Sequence, residues 1–192
     1  PAIVEFERPS GGDNAISEAA EMLSSSKNPI ILNGAGVVLS EGAIDASKAL
    51  AERLDAAVCV GYQHNDAFPG SHPLFAGPLG YNGSKAAIEL IKDADVVLCL
   101  GTRLNPFSTL PGYGIDYWPK DAKIIQVDIN PDRIVLTKKL IVGIIGDASL
   151  VANKILSKLS DTAGDFNRTE RKQTIAEIKS RWATQLSSTD HD

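Results

Sequence analysis

The sequence has few of the residues that metal sites, disulfide frameworks and nucleic-acid surfaces require. It contains two cysteines and three histidines, and Cys59 and Cys99 lack the paired spacing of a structural zinc site. Aromatic residues make up 6% of the chain and the net charge is -5, which argues against a nucleic-acid partner. We therefore expect no metal site in this chain and no binding to nucleic acid.

Long apolar runs and targeting signals are also missing. No run reaches the roughly 20 residues of a membrane span, so we expect no membrane association. Cys59 and Cys99 lie in apolar, strand-like runs, and we interpret them as buried, reduced thiols of a cytoplasmic protein. The chain begins at Pro1 without a methionine or a signal-peptide pattern. We interpret this start as a cut inside a longer polypeptide.

The sequence does contain a regular alternation of apolar runs and amphipathic stretches. Hydrophobic residues form 43% of its 192 positions, enough for one sizeable core. Apolar runs rich in Val and Ile predict buried strands at 29–34, 56–61, 95–101, 123–128 and 140–146, with a very short additional strand near 74–76. This alternation predicts an α/β fold, a parallel sheet with helices on both faces.

Helical spacing predicts helices before the first strand and over 41–55, 84–94, 147–161 and 168–186. In the last helix, one stripe carries Ile175, Ile178, Trp182 and Leu186. We expect either a solvated helix with one docked face or a connector to a following domain. The tail after it, 187–192, is expected to be unstructured.

Ligands of such sheets bind beyond the carboxyl ends of the strands. After the first strand, Gly34 and Gly36 either present amide groups to a diphosphate or only turn the chain. Arg103 follows the third run and suits either a phosphate or a surface ion pair. Asp128 either accepts hydrogen bonds from ribose or caps the short helix near Pro131.

The remaining strand end and the long loops carry weaker signals. Asp147 has the same two readings as Asp128, with capping of the next helix favoured. His64 and Asp66 lie in the long loop 61–83 without a nucleophile at a readable spacing, so we assign no catalytic residue. The loop 101–119, rich in proline and aromatic residues, is longer than most connections in compact domains.

Several motifs, in order, resemble the central domain of thiamine-diphosphate-dependent enzymes, the group that includes acetolactate synthase and oxalyl-CoA decarboxylase. They are "NGAG", "HPLFAGPLGYNGSKAA", "ADVVLCLGTRLN", "AKIIQVDINPDRI" and "IVGIIGDASLV". The resemblance covers roughly residues 12–160. It implies a three-layer, Rossmann-like, six-stranded parallel sheet of the DHS-like NAD/FAD-binding type, followed here by an extra C-terminal helix.

The resemblance also implies a groove that holds FAD or ADP in some relatives. In them the glycine turn meets the diphosphate, the arginine lies along the cofactor, and two acid-containing pairs lie beside ribose and adenine. The matching positions are Gly34, Ala35, Gly36, Gly101, Thr102, Arg103, Asp128, Ile129, Asp147 and Ala148. Acetolactate synthases have an acidic "FDD" after the arginine, whereas this chain has Leu104-Asn105-Pro106. This departure argues against flavin.

Residues 61–87 and 101–133 resemble one acyltransferase branch of the family more than they resemble acetolactate synthases. That branch converts sulfoacetaldehyde and phosphate into acetyl phosphate and sulfite. The family holds thiamine diphosphate and Mg²⁺ through a GDG motif and a later Asn, and activates the cofactor with a glutamate of an N-terminal domain. Neither feature is found here, so we expect an enzymatic longer protein and an inactive central domain.

The resemblance implies a division of the chain into a linker (1–11), the central domain (12–162) and a connector helix with tail (163–192). The implied partners are N- and C-terminal domains of the same polypeptide, within a homodimer or homotetramer. Alternatives are an acetolactate-synthase-like enzyme that binds FAD or ADP, and a structural or nucleotide-sensing module. A sirtuin-type deacylase lacks support, because His64 and His72 precede Asn and Pro. We expect the 102–119 loop to cover or fill the groove, or to pack against a neighbouring domain.

Overall fold

A computed structural model describes residues 7–109, 117–163 and 168–189. Its centre is a six-stranded sheet in the order β3-β2-β1-β4-β5-β6, and every pairing between neighbouring strands is parallel. This confirms the predicted Rossmann-like, six-stranded parallel sheet. The strands are β1 (Pro29–Asn33), β2 (Ala57–Gly61), β3 (Phe75–Leu79), β4 (Val96–Leu100), β5 (Lys123–Asp128) and β6 (Val142–Ile145).

The central strands are apolar along their whole length because both sheet faces are covered. All residues of β1, β2 and β4 are buried, as expected for a parallel sheet between helical layers. Helix α6 contacts both α1 and α3, and α4 contacts α7. The helices are α1 (Asp13–Ser25), α2 (Ala35–Leu39), α3 (Ala43–Leu54), α4 (Lys85–Lys92), α5 (Pro106–Thr109), α6 (Ala148–Lys158) and α7 (Arg168–Thr189), with a 3-10 turn at Pro131–Arg133.

The edge strand β3 is longer than the sequence indicated. We expected a very short strand near 74–76, and the structure has Phe75–Leu79. Its letters, "FAGPL", include Gly77 at φ 121° and Pro78, and the pairing register with β2 shifts between Val58 and Cys59. Proline removes a ladder donor and is tolerated at sheet edges, so the position of β3 in the sheet explains both its composition and the weak sequence signal.

The last helix docks firmly against the domain. Ile175 of α7 is fully buried, Trp182 Nε1 donates to Glu89 Oε2 over 2.8 Å, and Arg171 donates to Asn28 Oδ1 and the Pro29 carbonyl oxygen. One member of the predicted stripe is wrong, because Leu186 is 56% exposed. The helix continues through Thr189, so the expectation of an unstructured tail was wrong for 187–189, and 190–192 lie outside the described residues.

Candidate functional site

The point where the strand order reverses lies between β1 and β4, and the backbone there is tightly packed. A Cβ added at Gly36 would lie 2.7 Å from Gly101 Cα, and a Cβ at Gly34 would lie 2.6 Å from the Gly101 carbonyl oxygen. Gly101 itself has φ 61°, in the left-handed region that glycine adopts without strain. The glycines therefore allow two loops to cross at backbone contact distance.

The amide groups of this turn already have partners within the chain. Gly34 N–H donates to the Leu100 carbonyl over 3.0 Å, and Gly36 N–H donates to the Gly101 carbonyl over 2.8 Å. A short helix, α2, begins at Ala35, where the sequence indicated only a turn. Of the two readings of this motif, the geometry favours the structural one, in which the glycines turn the chain and let β1 and β4 diverge.

Two adjoining hollows lie over the carboxyl edge of the sheet. The first, of about 230 Å³, is lined by Asp128 and Asp147 among others; we call it the acid lobe. The second, of about 250 Å³, is lined by Arg103 and His64 among others; we call it the arginine lobe. Ala35, Gly101 and Arg133 line both. The structure brings all the matched groove positions together, each lining at least one lobe.

The carboxylate of Asp147 stabilises the fold through contacts within the chain. Its Oδ1 accepts from the N–H groups of Ser149 (3.0 Å) and Leu150 (3.2 Å), which makes it the N-cap of α6. The same oxygen accepts from Ser40 Oγ over 2.8 Å, and Oδ2 pairs with Arg8 Nη1 over 3.2 Å. The predicted capping role is confirmed, and both carboxylate oxygens are engaged.

Asp128 keeps more of its hydrogen-bonding capacity. Its Oδ1 accepts from Asn130 N–H over 2.9 Å, and no described residue donates to Oδ2. The 3-10 turn that follows is capped by Asn130, whose Oδ1 accepts from Asp132 N–H. The reading in which Asp128 caps this turn is therefore wrong. Beside it, Ile129 is 52% exposed and lines the acid lobe.

Arg103 and Arg133 are the cationic side chains of the arginine lobe. Both are exposed, and neither forms an ion pair or side-chain hydrogen bond with a described residue. The expected alternative for Arg103, a surface ion pair, is not found among these residues. Arg133 was missed by the sequence reasoning, because it sits in the turn after β5 rather than directly at a strand end. The sequence feature that could have pointed to Arg133 is the short "NPDR" turn that follows β5.

The described parts of the 102–119 loop form a wall of the arginine lobe. Leu104, Ser108 and Tyr117 are buried, and Tyr117 Oη donates to the Ser108 carbonyl over 3.2 Å. Burial raises the pKa of Tyr117 to about 12. Thr102, Arg103, Asn105 and Ser108 line the arginine lobe. That the loop covers or fills the groove, or packs against a neighbouring domain, stays a prediction, and its segment 110–116 lies outside the described residues.

This end of α5 also packs on the end of β3. The Phe107 carbonyl accepts from Tyr81 N–H over 3.2 Å, and a Cβ added at Gly80 would lie 2.3 Å from that same oxygen. The wall is therefore held against the sheet from two sides, by Tyr117 and by the Gly80–Tyr81 backbone.

The described residues contain little of the usual catalytic chemistry. Cys59 and Cys99 are free and buried; burial raises the pKa of Cys59 to about 12 and raises the pKa of Cys99 as well. His64 lines the arginine lobe and has no side-chain partner among the described residues. No group of three or more His, Cys, Asp or Glu residues in the described ranges could hold a metal ion. None of the helices there is long and apolar enough to span a membrane.

Comparison with known proteins assigns the chain to a family. The family model described as "Thiamine pyrophosphate enzyme, central domain" matches residues 16–155. The chain therefore belongs to the thiamine pyrophosphate enzyme family, as a central domain, and the resemblance seen in the sequence is confirmed.

Among relatives, the chain is 73% identical over 192 residues to the sulfoacetaldehyde acetyltransferase of Roseovarius nubinhibens, covering 100% of this chain and 32% of that protein. It is 69% identical to a probable sulfoacetaldehyde acetyltransferase of Rhizobium meliloti, with the same coverage. A probable acetolactate synthase large subunit of Methanocaldococcus jannaschii is 36% identical over 144 residues, which are 75% of this chain and 24% of that protein. The chain thus spans about a third (32%) of the length of these two acetyltransferase relatives.

One solved structure confirms the fold. It is the X-ray structure of a putative thiamin diphosphate-dependent enzyme from Mycobacterium smegmatis, with a TM-score of 0.68 and 24% identity. The match covers 84% of this chain and 31% of that chain. The relatives from Roseovarius nubinhibens and Rhizobium meliloti are both named for the acyltransferase branch whose motifs the sequence resembles.

Proposed function

We propose that this chain is the central, non-catalytic domain of a sulfoacetaldehyde acetyltransferase. The longer protein would convert sulfoacetaldehyde and phosphate into acetyl phosphate and sulfite. The single observation that carries this proposal is the 73% identity to a named sulfoacetaldehyde acetyltransferase over all 192 residues. The match includes the loop after Arg103, where the sequence departs from acetolactate synthases.

The described residues of this chain do not fit a thiamine diphosphate–Mg²⁺ site. The "GDAS" segment offers Asp147, but its two oxygens already bind the α6 amides, Ser40 and Arg8. No other acidic cluster in the described ranges could hold Mg²⁺. We therefore place cofactor, metal and catalytic residues in other parts of the longer protein, and the described chain in a supporting role.

For the groove we propose ADP rather than FAD as the nucleotide it accepts. Asp128 Oδ2 and the exposed Ile129 are suited to ribose hydroxyls and an adenine face. Flavin is disfavoured because Leu104-Asn105-Pro106 replaces an acidic pair and Leu104 is itself buried. The engaged amides of Gly34 and Gly36 limit the affinity for any diphosphate.

The adjoining segments are proposed to connect this domain to the others. Residues 1–11 and 163–192 would lead to N- and C-terminal domains, and the 12–162 core would carry the groove. Arg8 pairs with Asp147 and Ser10 bridges to Gly146, directly after β6, and α7 docks on α4 and β3. These contacts hold the described parts of both connecting segments against the core.

The longer protein is proposed to be a cytoplasmic homodimer or homotetramer. Two free, buried cysteines are consistent with a reducing compartment. Exposed apolar side chains on the β5–β6 connection, Val135 and Leu136, are 60% and 61% exposed and would be covered in an assembly. Sedimentation of the longer protein tests the assembly state, and a monomer would contradict it.

Sulfite release tests the activity. The longer protein, supplied with thiamine diphosphate, Mg²⁺, phosphate and sulfoacetaldehyde, should release sulfite and form acetyl phosphate in equal amounts. Consumption of pyruvate without sulfite release would instead favour the acetolactate-synthase alternative. Absence of both activities would favour a structural or nucleotide-sensing module.

Thermal unfolding of the 192-residue chain tests the groove. A ligand at roughly 100 times its dissociation constant stabilises by about 2.7 kcal/mol. We expect a small upward shift of Tm with ADP and no larger shift with FAD. A large FAD-specific shift would overturn the preference for ADP.

A further inference from the structure

Two pairs of adjacent, large apolar side chains are exposed on the surface of this chain. Val38 and Leu39 lie at the end of α2, and Leu39 is 80% exposed; we call this pair the α2 patch. Val135 and Leu136 lie on the β5–β6 connection, and both are exposed; we call this pair the apolar tip. Single exposed apolar residues are common on protein surfaces, whereas contiguous ones indicate an interaction surface.

The charges around the two pairs have opposite signs. Segment 131–141, which carries the apolar tip, has three basic residues and one acid, and segment 35–45, which carries the α2 patch, has two acids and no basic residue. The charged residues are Asp132, Arg133, Lys138 and Lys139 in the first segment and Glu41 and Asp45 in the second. Glu41 and Lys139 are exposed and form no ion pair within the described ranges. Opposite charges beside apolar contacts select a partner and fix its register, so each pair complements the other.

The apolar tip is held in a fixed and unfavourable backbone conformation. Val135 has φ 67°, which is a genuine outlier for a β-branched residue. Its N–H group donates to Gln126 Oε1 over 3.1 Å, and Gln126 Nε2 donates to the Arg133 carbonyl over 2.9 Å. Gln126 is itself buried in β5. Strained residues that their surroundings hold in place concentrate at binding sites, and a tip that is already ordered loses little entropy when it binds.

The α2 patch and the apolar tip both adjoin the acid lobe. Leu39 lines this hollow, and so does Arg133, which precedes the apolar tip. Because both pairs remain exposed in the folded chain, neither covers the other within one copy. A two-fold axis over the hollow brings each pair opposite its complement on a second copy, which is the arrangement of an isologous contact.

We propose that two copies of this chain associate through these surfaces. The apolar tip of each copy packs on the α2 patch of the other, and Lys139 faces Glu41 across the contact. This inference rests on the homo-oligomer proposed above and deepens it, because it names the surfaces that meet and the symmetry that relates them.

Sedimentation equilibrium of the 192-residue chain tests the contact. We expect a concentration-dependent dimer with a dissociation constant on the order of 0.1–1 mM, because few large side chains are buried. Leu39→Gln and Leu136→Gln should each raise this constant by about tenfold, since a two-fold contact contains each substitution twice. Leu186→Gln is the matched control. It makes the same change at an exposed position of α7, outside both pairs, and should change the constant by less than about twofold.

A charge swap separates this contact from unspecific apolar association. Lys139→Glu and Glu41→Lys should each raise the dissociation constant by about threefold, and the double variant should return it to within about twofold of the parent value. Association of the parent chain should also weaken as the salt concentration rises. Far-ultraviolet circular dichroism and urea unfolding establish that each variant is folded.

Three results would overturn the contact: a chain that stays monomeric at every concentration, a Leu186→Gln variant as weak as the two patch variants, or a double charge variant without recovery. Sedimentation of the longer protein distinguishes this failure from failure of the proposed oligomer. An oligomeric longer protein beside a monomeric 192-residue chain means that the assembly forms through other surfaces, whereas a monomeric longer protein contradicts both proposals.

Discussion

The acid lobe and the arginine lobe share a floor at Gly101 but use their charges in opposite ways. In the acid lobe, Asp147 binds two amides, a hydroxyl and a guanidinium of its own chain. In the arginine lobe, the guanidinium groups of Arg103 and Arg133 form no ion pair with a described residue. A residue that aligns with a ligand-binding position of relatives can therefore hold the fold instead of a ligand. Only the hydrogen bonds that its side chain forms within the chain distinguish the structural role from the ligand-binding role.

The floor between the lobes is the most sensitive point. Gly101→Ala places a methyl group 2.7 Å from Gly36 Cα at a φ of 61°, so we expect a loss of about 3–5 kcal/mol in the free energy of unfolding. Urea unfolding followed by circular dichroism measures this loss. Gly70→Ala is the control, because its nearest neighbour would be Phe75 Cε1 at 3.9 Å. Equal stability of the two variants would refute the close crossing of the loops.

The structural use of the acid lobe is tested at Asp147. Asp147→Ala removes the N-cap of α6 and the partner of Ser40, and we expect a loss of about 2–3 kcal/mol. Asp45→Ala, an exposed acid in the first turn of α3, should cost less than about 0.5 kcal/mol. Differential scanning calorimetry can compare the pair. A neutral Asp147→Ala would mean that this carboxylate serves a ligand rather than the fold.

Asp128 lies between the two extremes. Its single hydrogen bond to Asn130 N–H predicts a loss of about 1–1.5 kcal/mol for Asp128→Ala. Asp128→Asn keeps an Oδ1 acceptor and should recover most of that loss, so the two variants separate the turn from the charge. Chemical denaturation gives both values. Recovery of stability without recovery of ADP binding would locate the ligand-facing role in Oδ2.

Removing the free charge of the arginine lobe should leave the fold almost unchanged. Arg103→Gln replaces a guanidinium group without a described partner by a neutral amide, and we expect a change in unfolding free energy of less than about 0.5 kcal/mol. Its thermal unfolding curve should overlay that of the parent chain in chloride buffer. A marked destabilisation would show that Arg103 supports the fold, and the contrast between the lobes would disappear.

The sheet could be predicted because its strands are nearly continuous apolar runs. The strand that was underestimated, β3, contains Gly77 and Pro78, which weaken the strand signal at a sheet edge. Of the stripe on α7, Ile175 is buried and Leu186 is exposed. Helical spacing shows which residues share a face, and it does not show how far along the helix that face is covered.

The location of the candidate site could be predicted from the sequence, but the roles of its residues could not. Every matched residue lines the groove, because strand ends of a parallel sheet meet at one edge. The Gly36 N–H group already donates to the Gly101 carbonyl. This hydrogen bond joins residues far apart in sequence, so the sequence pattern could not predict it. Arg133 was overlooked for a similar reason, since only the folded β5–β6 connection brings it beside Arg103.

The two buried cysteines can report how often the centre of the sheet opens to solvent. Cys59 on β2 and Cys99 on β4 both pair with β1, at Leu32, so they flank the strand at the centre of the sheet. Their thiols are fully buried and poorly ionised, and they react with an alkylating reagent only when the sheet centre opens. The rate at which these thiols are labelled in the native protein therefore measures how often the core opens. It does so at two neighbouring positions, without an engineered probe.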